Sequence, residues 1–424
     1  MVDPEEQGQV TSWRPSVVTS EPQSALSANR PLYGRAVTGN PTSRDYNKAS
    51  VLEMILSRAP LTRNELIELT GLSKATVSRA VEELRADGFV VNGGVDEVTG
   101  RGRRSTNLDV PGTTGHVVGI SFGSQSTCVL VADLRGREVE HVLLPTVDHQ
   151  EVSKAAEWLV YLTAEASKSA EGPLRQIVVA VPGRVRTGTE IFGPAEAMKT
   201  FAGSGLQRTL ADLVNAPVLL DSDANASLLG ILTEDATLGN AALFSLSSIL
   251  NFASCTEHVL VRGRLPDFGD IGVLFSGVGN EILEGLLSTS GLLRFARARG
   301  LNLERIEDLW LQPHDAVARA DVMEAFSTAL VTAVSAVAVT QDPESVFFTG
   351  RLRPLVDEVL PEVRKRLDKT LMTVPEVKAP TQVLGLSVAW GAVYACLGMA
   401  RDRLRDAVLE ARRQGHTEQS APAF

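Results

Sequence analysis

The run TRNELIELTGLSKATVSRAVEEL, residues 62–84, decides how the chain is read. Thr62 can cap the start of a helix while Glu65, three residues on, reaches back to it, the reciprocal arrangement of a capping box. Gly71 ends that helix and turns the chain. Ser73 has N-cap chemistry for the next helix, in which Val77, Val81 and Leu84 repeat on one face at the helical period. The remaining face carries Ala75, Thr76, Ser78 and Arg79, with Lys74 beside the helix start. Side chains this small, polar or basic suit a helix whose N-terminal half enters a DNA major groove about 12 Å wide.

Upstream, Val51, Leu52, Ile55 and Leu56 make a helical pattern that breaks at Ala59-Pro60. Downstream of Gly88, Phe89-Val90-Val91 reads as a short strand, Asn92-Gly93-Gly94 as the start of a glycine- and arginine-rich tip, and Thr106 to Val110 as a returning strand. Between them lies the basic loop Gly100-Arg101-Gly102-Arg103-Arg104. Two strands with an arginine-rich tip after a helix-turn-helix form a winged helix, the tip able to lie along phosphates or in the minor groove. Residues 45–110 resemble the winged helix-turn-helix domain of bacterial repressors. The candidate DNA-binding residues are Thr62, Ser73, Lys74, Ala75, Thr76, Ser78, Arg79, Arg101, Arg103 and Arg104. A plain three-helix interaction module would leave the arginine-tipped hairpin unexplained.

With 424 residues, the chain has room for two or three domains, and 44% hydrophobic with 22% charged residues supports a large core. A net charge of −10 argues against nucleic-acid binding over the whole surface, so basic residues must act locally, as in the wing. Cys128, Cys255 and Cys396 are far apart and in no metal-ligand spacing, which points to buried free thiols in a reducing compartment. No membrane span or signal peptide is evident, and a cytoplasmic protein is expected. Residues 1–44, rich in Pro, Ser, Thr, Gln and Gly, are expected to form a disordered tail.

After Pro111-Gly112 the pattern changes to short apolar runs alternating with amphipathic helices, the mark of an α/β domain. His116–Ser121, Thr127–Asp133 and Glu138–Leu144 read as strands, followed by a helix over 152–170, a strand over 176–181, a helix over 206–214 and a strand over 218–220. Met323–Val339 and Ala389–Leu409 read as long helices, the first buried on most sides, the second with Trp390, Val393, Leu397 and Leu404 on one stripe and a frayed end from about Arg412.

The order of a hairpin followed by βα units resembles the first lobe of the actin-like ATPase fold. Joined to a winged helix, it resembles the ROK family of repressors and sugar kinases, over nearly all of the chain beyond the tail. The segments that carry the resemblance are Val118 to Gly123, Ala132 to Gly136, Val179 to Gly183, Asp221 to Ala226, Gly263-Arg264 with Gly269 to Gly272, and Phe347 to Gly350. It implies two lobes about a cleft, residues 111–424 forming an effector and oligomerisation body, and assembly into homodimers or larger homo-oligomers.

Against that family pattern the catalytic residues are altered. Ser121 stands where the phosphate loop has an aspartate, and Arg351 follows a single Gly350 where a glycine pair is usual. The sugar-binding Asn-Asp pair reads Ser222-Asp223, and Glu-x-Gly-His reads Asp270-Ile271-Gly272-Val273, with no cysteines from Leu274 to Leu283. The resemblance therefore implies no kinase activity, no zinc and no cofactor, with Ser222, Asp223 and Asp270 left as ligand-binding candidates. Asp223 can equally serve as a helix N-cap. Glu257-His258 reads as a satisfied pair in a strand context, while Asn251 and Ser254 can donate to a ligand or to backbone.

The expectation is a DNA-binding transcriptional regulator, a repressor, that binds a double-stranded operator through paired heads and responds to a sugar or sugar derivative in the interlobe cleft. The alternatives are a sugar kinase with an accessory DNA-binding domain, or a ligand-independent regulator controlled by a protein partner.

Overall fold

The computed structural model describes residues 43–95, 106–148, 151–262, 268–380 and 385–418. The expected tail lies outside the described residues except for Ser43 and Arg44. These two already belong to the first helix, α1 (Ser43–Arg58), where Arg44 pairs with Glu83.

α2 (Arg63–Thr70) opens with the capping box foreseen, the Thr62 hydroxyl accepting from Glu65 N while Thr62 N donates to the Glu65 carboxylate at 2.6 Å. It closes on Gly71 at φ 66°, a left-handed conformation that favours glycine. α3 (Lys74–Ala86) is capped by Ser73 and buries Val77, Val81 and Leu84. The hairpin then departs from expectation. Its first strand, β1 (Val91–Val95), runs through Asn92-Gly93-Gly94 and pairs with β2 (Thr106–Asp109). Gly93 sits against the Asp109 side chain, where a Cβ would come within 2.8 Å, so this glycine serves close pairing within the strand. Leu61 bridges Leu108 through two backbone hydrogen bonds, tying the hairpin to the bend between α1 and α2.

The first lobe holds β3 (His116–Phe122), β4 (Ser126–Asp133), β5 (Glu138–Pro145), α4 (Val152–Ala166), β6 (Leu174–Val181), the small hairpin β7 (Arg184–Arg186) and β8 (Glu190–Phe192), α5 (Gly205–Leu213), β9 (Val218–Ser222) and α6 (Asp223–Glu234). Its sheet order is β5-β4-β3-β6-β9, an antiparallel meander on one side of β3 and parallel strands on the other. The second lobe repeats this plan. β10 (Ala241–Leu246), β11 (Leu250–Thr256) and β12 (Val259–Leu260) form the meander, and β13 (Ser345–Thr349) and β14 (Glu376–Lys378) the parallel half, in the order β12-β11-β10-β13-β14.

Helices α7 (Leu283–Leu287), α8 (Thr289–Ala298), α9 (Asp308–Leu311), α10 (Ala316–Gln341) and α11 (Arg353–Thr370) cover that sheet. α10 is long and apolar enough to cross a membrane, yet Val322, Phe326, Ala329, Leu330, Ala333 and Val334 are fully buried in the second lobe. Glu257 and His258 lie at the end of β11, in the tight turn into β12, both at positive φ. All three cysteines are free and buried, and burial raises their pKa values.

The last helix, α12 (Leu386–Glu418), runs past the fraying point expected near Arg412. It ties the molecule together. Ala389 and Val393 pack on Gly119 of β3, and Gly391 crosses α6 so closely that a Cβ there would lie 1.7 Å from the Ala226 carbonyl oxygen. The head joins the same core, in which Leu52, Ile55 and Leu56 of α1 are continuous with Cys396, Leu397 and Leu404 of α12. Ion pairs between Arg135 and Asp109 and between Arg405 and Glu53 reinforce the junction.

Candidate nucleic-acid interface and interlobe cleft

On the head, α3 presents Ser73, Lys74, Ala75 and Arg79 to solvent, with Thr76 and Ser78 half-buried. Arg63, Arg85, Arg44 and Lys48 are each paired with an acidic neighbour, Glu82 twice, Glu83 and Asp87. Lys74 and Arg79, by contrast, have no ion-pair or hydrogen-bond partner among the described residues. The exposed first half of α3 thus keeps its cationic donors available while its neighbours are neutralised. The Thr62 hydroxyl is engaged by Glu65 on both sides of the cap, so its local role is to hold α2. Arg101, Arg103 and Arg104, the expected wing tip, lie outside the described residues.

The second site is built where β9 runs into α6. The N-cap of α6 is Ser222, whose Oγ accepts from Asn225 N at 3.1 Å, so the capping role considered for Asp223 falls one residue earlier. Asp223 is left to accept from Asn251 Nδ2 at 2.5 Å and from the Ser245 hydroxyl at 3.4 Å. Burial pushes its carboxyl up to about 6, against these hydrogen bonds, which favour the charged form. Asp221, just before, is buried and gripped at both oxygens by Arg262, at 2.9 and 2.8 Å.

Asp270 is brought to the same cleft, but its carboxylate pairs with Arg184 Nη1 at 2.6 Å. Near it, Glu284 accepts from Leu250 N at 2.8 Å, and burial raises its carboxyl to about 7. Asn251, Ser222 and Asn225 line one pocket with Arg184, Arg186, Arg262 and Ser254. A neighbouring pocket is lined by Ser121, Gly123 to Ser126, Asp223, Ser247, Ser248 and Arg351. There Gly123 makes the β3–β4 hairpin turn, its N–H donating to the Ser126 carbonyl, and Arg351 pairs with Glu307.

Of the residues singled out from the sequence, Ser222 lines the first pocket and Asp223 the second, and Asp270 reaches the first through its pair with Arg184. Sequence reasoning missed Arg184, Arg186, Arg262 and Glu284, which reach the cleft from three separate segments, β7, the chain after β12, and α7. The one local signal was Arg184, immediately after the Pro182-Gly183 turn.

A winged helix-turn-helix fused to a duplicated, two-lobed actin-like body defines a class in which a DNA-binding type of head is carried on a sugar-kinase type of fold. Residues 45–102 match the family described as MarR family, and residues 117–392, more than half of the chain, match the ROK family. The chain belongs to the ROK family.

Among curated relatives, a putative xylose repressor of Caldicellulosiruptor sp. is 29% identical over 192 residues, 44% of this chain and 47% of the relative. The xylose repressor of Caldicellulosiruptor bescii is 26% identical over 54% of this chain and 58% of its own length. The chain spans about half the length of these two relatives. An uncharacterized protein of Sinorhizobium fredii is 25% identical over 82% of this chain and 89% of its own. The fold is shared with a crystal structure described as a ROK family transcriptional regulator, homolog of the E. coli MLC protein, at TM-score 0.68 and 15% identity, covering 87% of this chain and 99% of that one. It is shared also with a ROK family glucokinase from Streptomyces griseus, at TM-score 0.53 and 18% identity, over 66% of this chain and 98% of that one.

Proposed function

We propose that the protein is a cytoplasmic transcriptional repressor that binds operator DNA as a homodimer or larger homo-oligomer and responds to a small carbohydrate-type ligand in the interlobe cleft. The observation that carries this is the unpaired, exposed Lys74 and Arg79 on α3 of a head whose core runs directly into α12. Residues 45–110 act as the reading head and 111–424 as the sensing body. In the proposed contact, α3 lies in the major groove with Arg79 and Lys74 at base edges or phosphates, Ser73, Ala75, Thr76 and Ser78 allow close approach, and Arg101, Arg103 and Arg104 track the backbone.

The mechanical link runs from Ser222 and Asp223 at the start of α6, through the Gly391 crossing, along α12 to α1. A ligand that binds one lobe arrangement better than another shifts the population of that arrangement, and with it the spacing of two heads on half-sites about 34–36 Å apart. The names of the xylose repressors support repression and a sugar-like effector as the starting hypothesis.

Phosphoryl transfer is disfavoured by the cleft. Ser121 offers no carboxylate for a metal, and Arg351 lines the pocket in which phosphates would have to sit. Selection of bound fragments from random duplex DNA by the purified full-length chain tests the function. Enrichment of a palindromic motif supports it, whereas uniform weak retention of every duplex, or ATP consumption with any sugar of a hexose and pentose panel, overturns it.

A further inference from the structure

From Ala325 to Gln341, helix α10 carries no charged residue, yet only 56% of its most apolar stretch is buried. The uncovered part is one side of the helix, where Val331, Thr332, Ser335, Ala336 and Ala338 are half-buried and Val339 is 73% exposed. Against this side lies a short hairpin, residues 274–283, in which Phe275 bridges Ile282 and Leu283 N donates to the Leu274 carbonyl at 2.8 Å. The Thr332 hydroxyl fastens it to the helix by donating to the Ser276 carbonyl at 3.0 Å, and Gly277 sits over Thr328 and Thr332.

This pinned hairpin and the residues leading into it hold Phe275 72% exposed, Val273 60%, Leu274 42% and Ile282 37%, and residues 271–280 are again uncharged. Val339 lies seven residues beyond Thr332, two turns or about 10 Å further along the same side of α10. Together the five side chains leave on the order of 400 Å² of surface open, as much as the largest apolar patch of a whole monomer, which is often functional. That is about half of the 800 Å² each partner gives to a standard interface, close to the apolar share such faces carry.

Charge decides what covers the face. Nucleic acid and an anionic lipid surface both call for lysine or arginine, and neither uncharged segment holds one. A second copy of a chain with net charge −10 is repelled over most of this surface, so two copies meet most readily where no like charges oppose each other across a two-fold axis. Charged groups stand beside the face, as in a polar rim, at Glu281, Asp342 and the Arg366–Glu324 pair. We infer that this face of the second lobe, carrying Phe275 and Val339, is covered by the same face of a second copy and forms the homodimer. The inference deepens the homodimer reading given above and rests on it.

Sedimentation velocity on the full-length chain over a concentration series tests it. The wild type sediments as a dimer, and the double variant Phe275→Arg with Val339→Arg as a monomer with unchanged far-ultraviolet circular dichroism, because both positions are exposed. Val317→Arg, 75% exposed near the start of the same helix but away from the face, stays dimeric. Phe275→Ser alone, a milder change, raises the dimer dissociation constant about tenfold or more and serves if the double variant does not fold. A dimer that persists in the double variant, or one that Val317→Arg breaks equally, overturns the inference and leaves the homodimer reading standing through another face. A wild type that stays monomeric at every concentration overturns both. Flotation of the wild type with phosphatidylcholine or phosphatidylglycerol vesicles, lost in the double variant, assigns the face to lipid and overturns the inference.

Discussion

Asp223→Asn should stabilise the protein at neutral pH. The carboxyl is raised from 3.8 to about 6 by burial, and among the described residues no cation pairs with it to offset the loss of water. A shift of this size corresponds to about 3 kcal/mol, at roughly 1.4 kcal/mol per unit. Between its ordinary value and about 6, the native protein retains a proton that the unfolded chain has released, so stability falls as pH rises through that window. Above it the whole cost of the buried charge is present; at pH 5 about half of it is.

The uncharged amide keeps one acceptor oxygen for Asn251 Nδ2 but loses some of the hydrogen bonding to Ser245, which reduces the net gain to about 1–3 kcal/mol. Thermal melts of wild type and variant at pH 7.5 and pH 5 should therefore show the variant melting a few degrees higher at pH 7.5 and distinctly less so at pH 5. A variant that melts lower, or a gain identical at both pH values, would refute the argument that Asp223 is held as a costly buried carboxylate.

Arg79→Ala should cost about 1–3 kcal/mol on the preferred operator and relax base preference at one position, read by gel-shift titration against single-base operator variants. Arg103→Ala should weaken all duplexes alike and reduce the slope of log K against log salt by about 1. Gly391→Ala places a methyl carbon 1.7 Å from the Ala226 carbonyl oxygen. Prying α6 from α12 should then cost about 3 kcal/mol or more, seen as a lowered melting temperature. Thr62→Ala should lose about 1 kcal/mol of head stability through its cap, measured by denaturation of the full chain, with base preference unchanged.

Local chemistry made the head legible. Thr62 and Glu65 cap because their spacing is three, Gly71 turns because it tolerates positive φ, and Val77, Val81 and Leu84 bury because they recur on one helical face. The wing strand was misplaced because Asn92-Gly93-Gly94 has turn composition, whereas pairing with Asp109 across the hairpin selected glycine for space. In the body, the strands of the first lobe and the Ser222–Asp223 and Asp270 segments were readable one by one. That Asp270 would be taken by Arg184, and that Ser222 rather than Asp223 would cap α6, depends on atoms brought from distant segments.

Taken alone, the amino-acid order determined the capped helices of the head, the alternation of strands and helices in the body, and the serine at position 121 where the family pattern has an aspartate, because propensity, capping and hydrophobic period act over a few residues. Tertiary structure alone decided which charges are neutralised and which remain available. Lys74 and Arg79 stay unpaired while four nearby cations are matched, three arginines converge on one pocket, and α12 locks α6 to α1. The physical reason is that Coulomb pairing, desolvation and close helix crossing depend on distance in space, which separation along the chain does not specify.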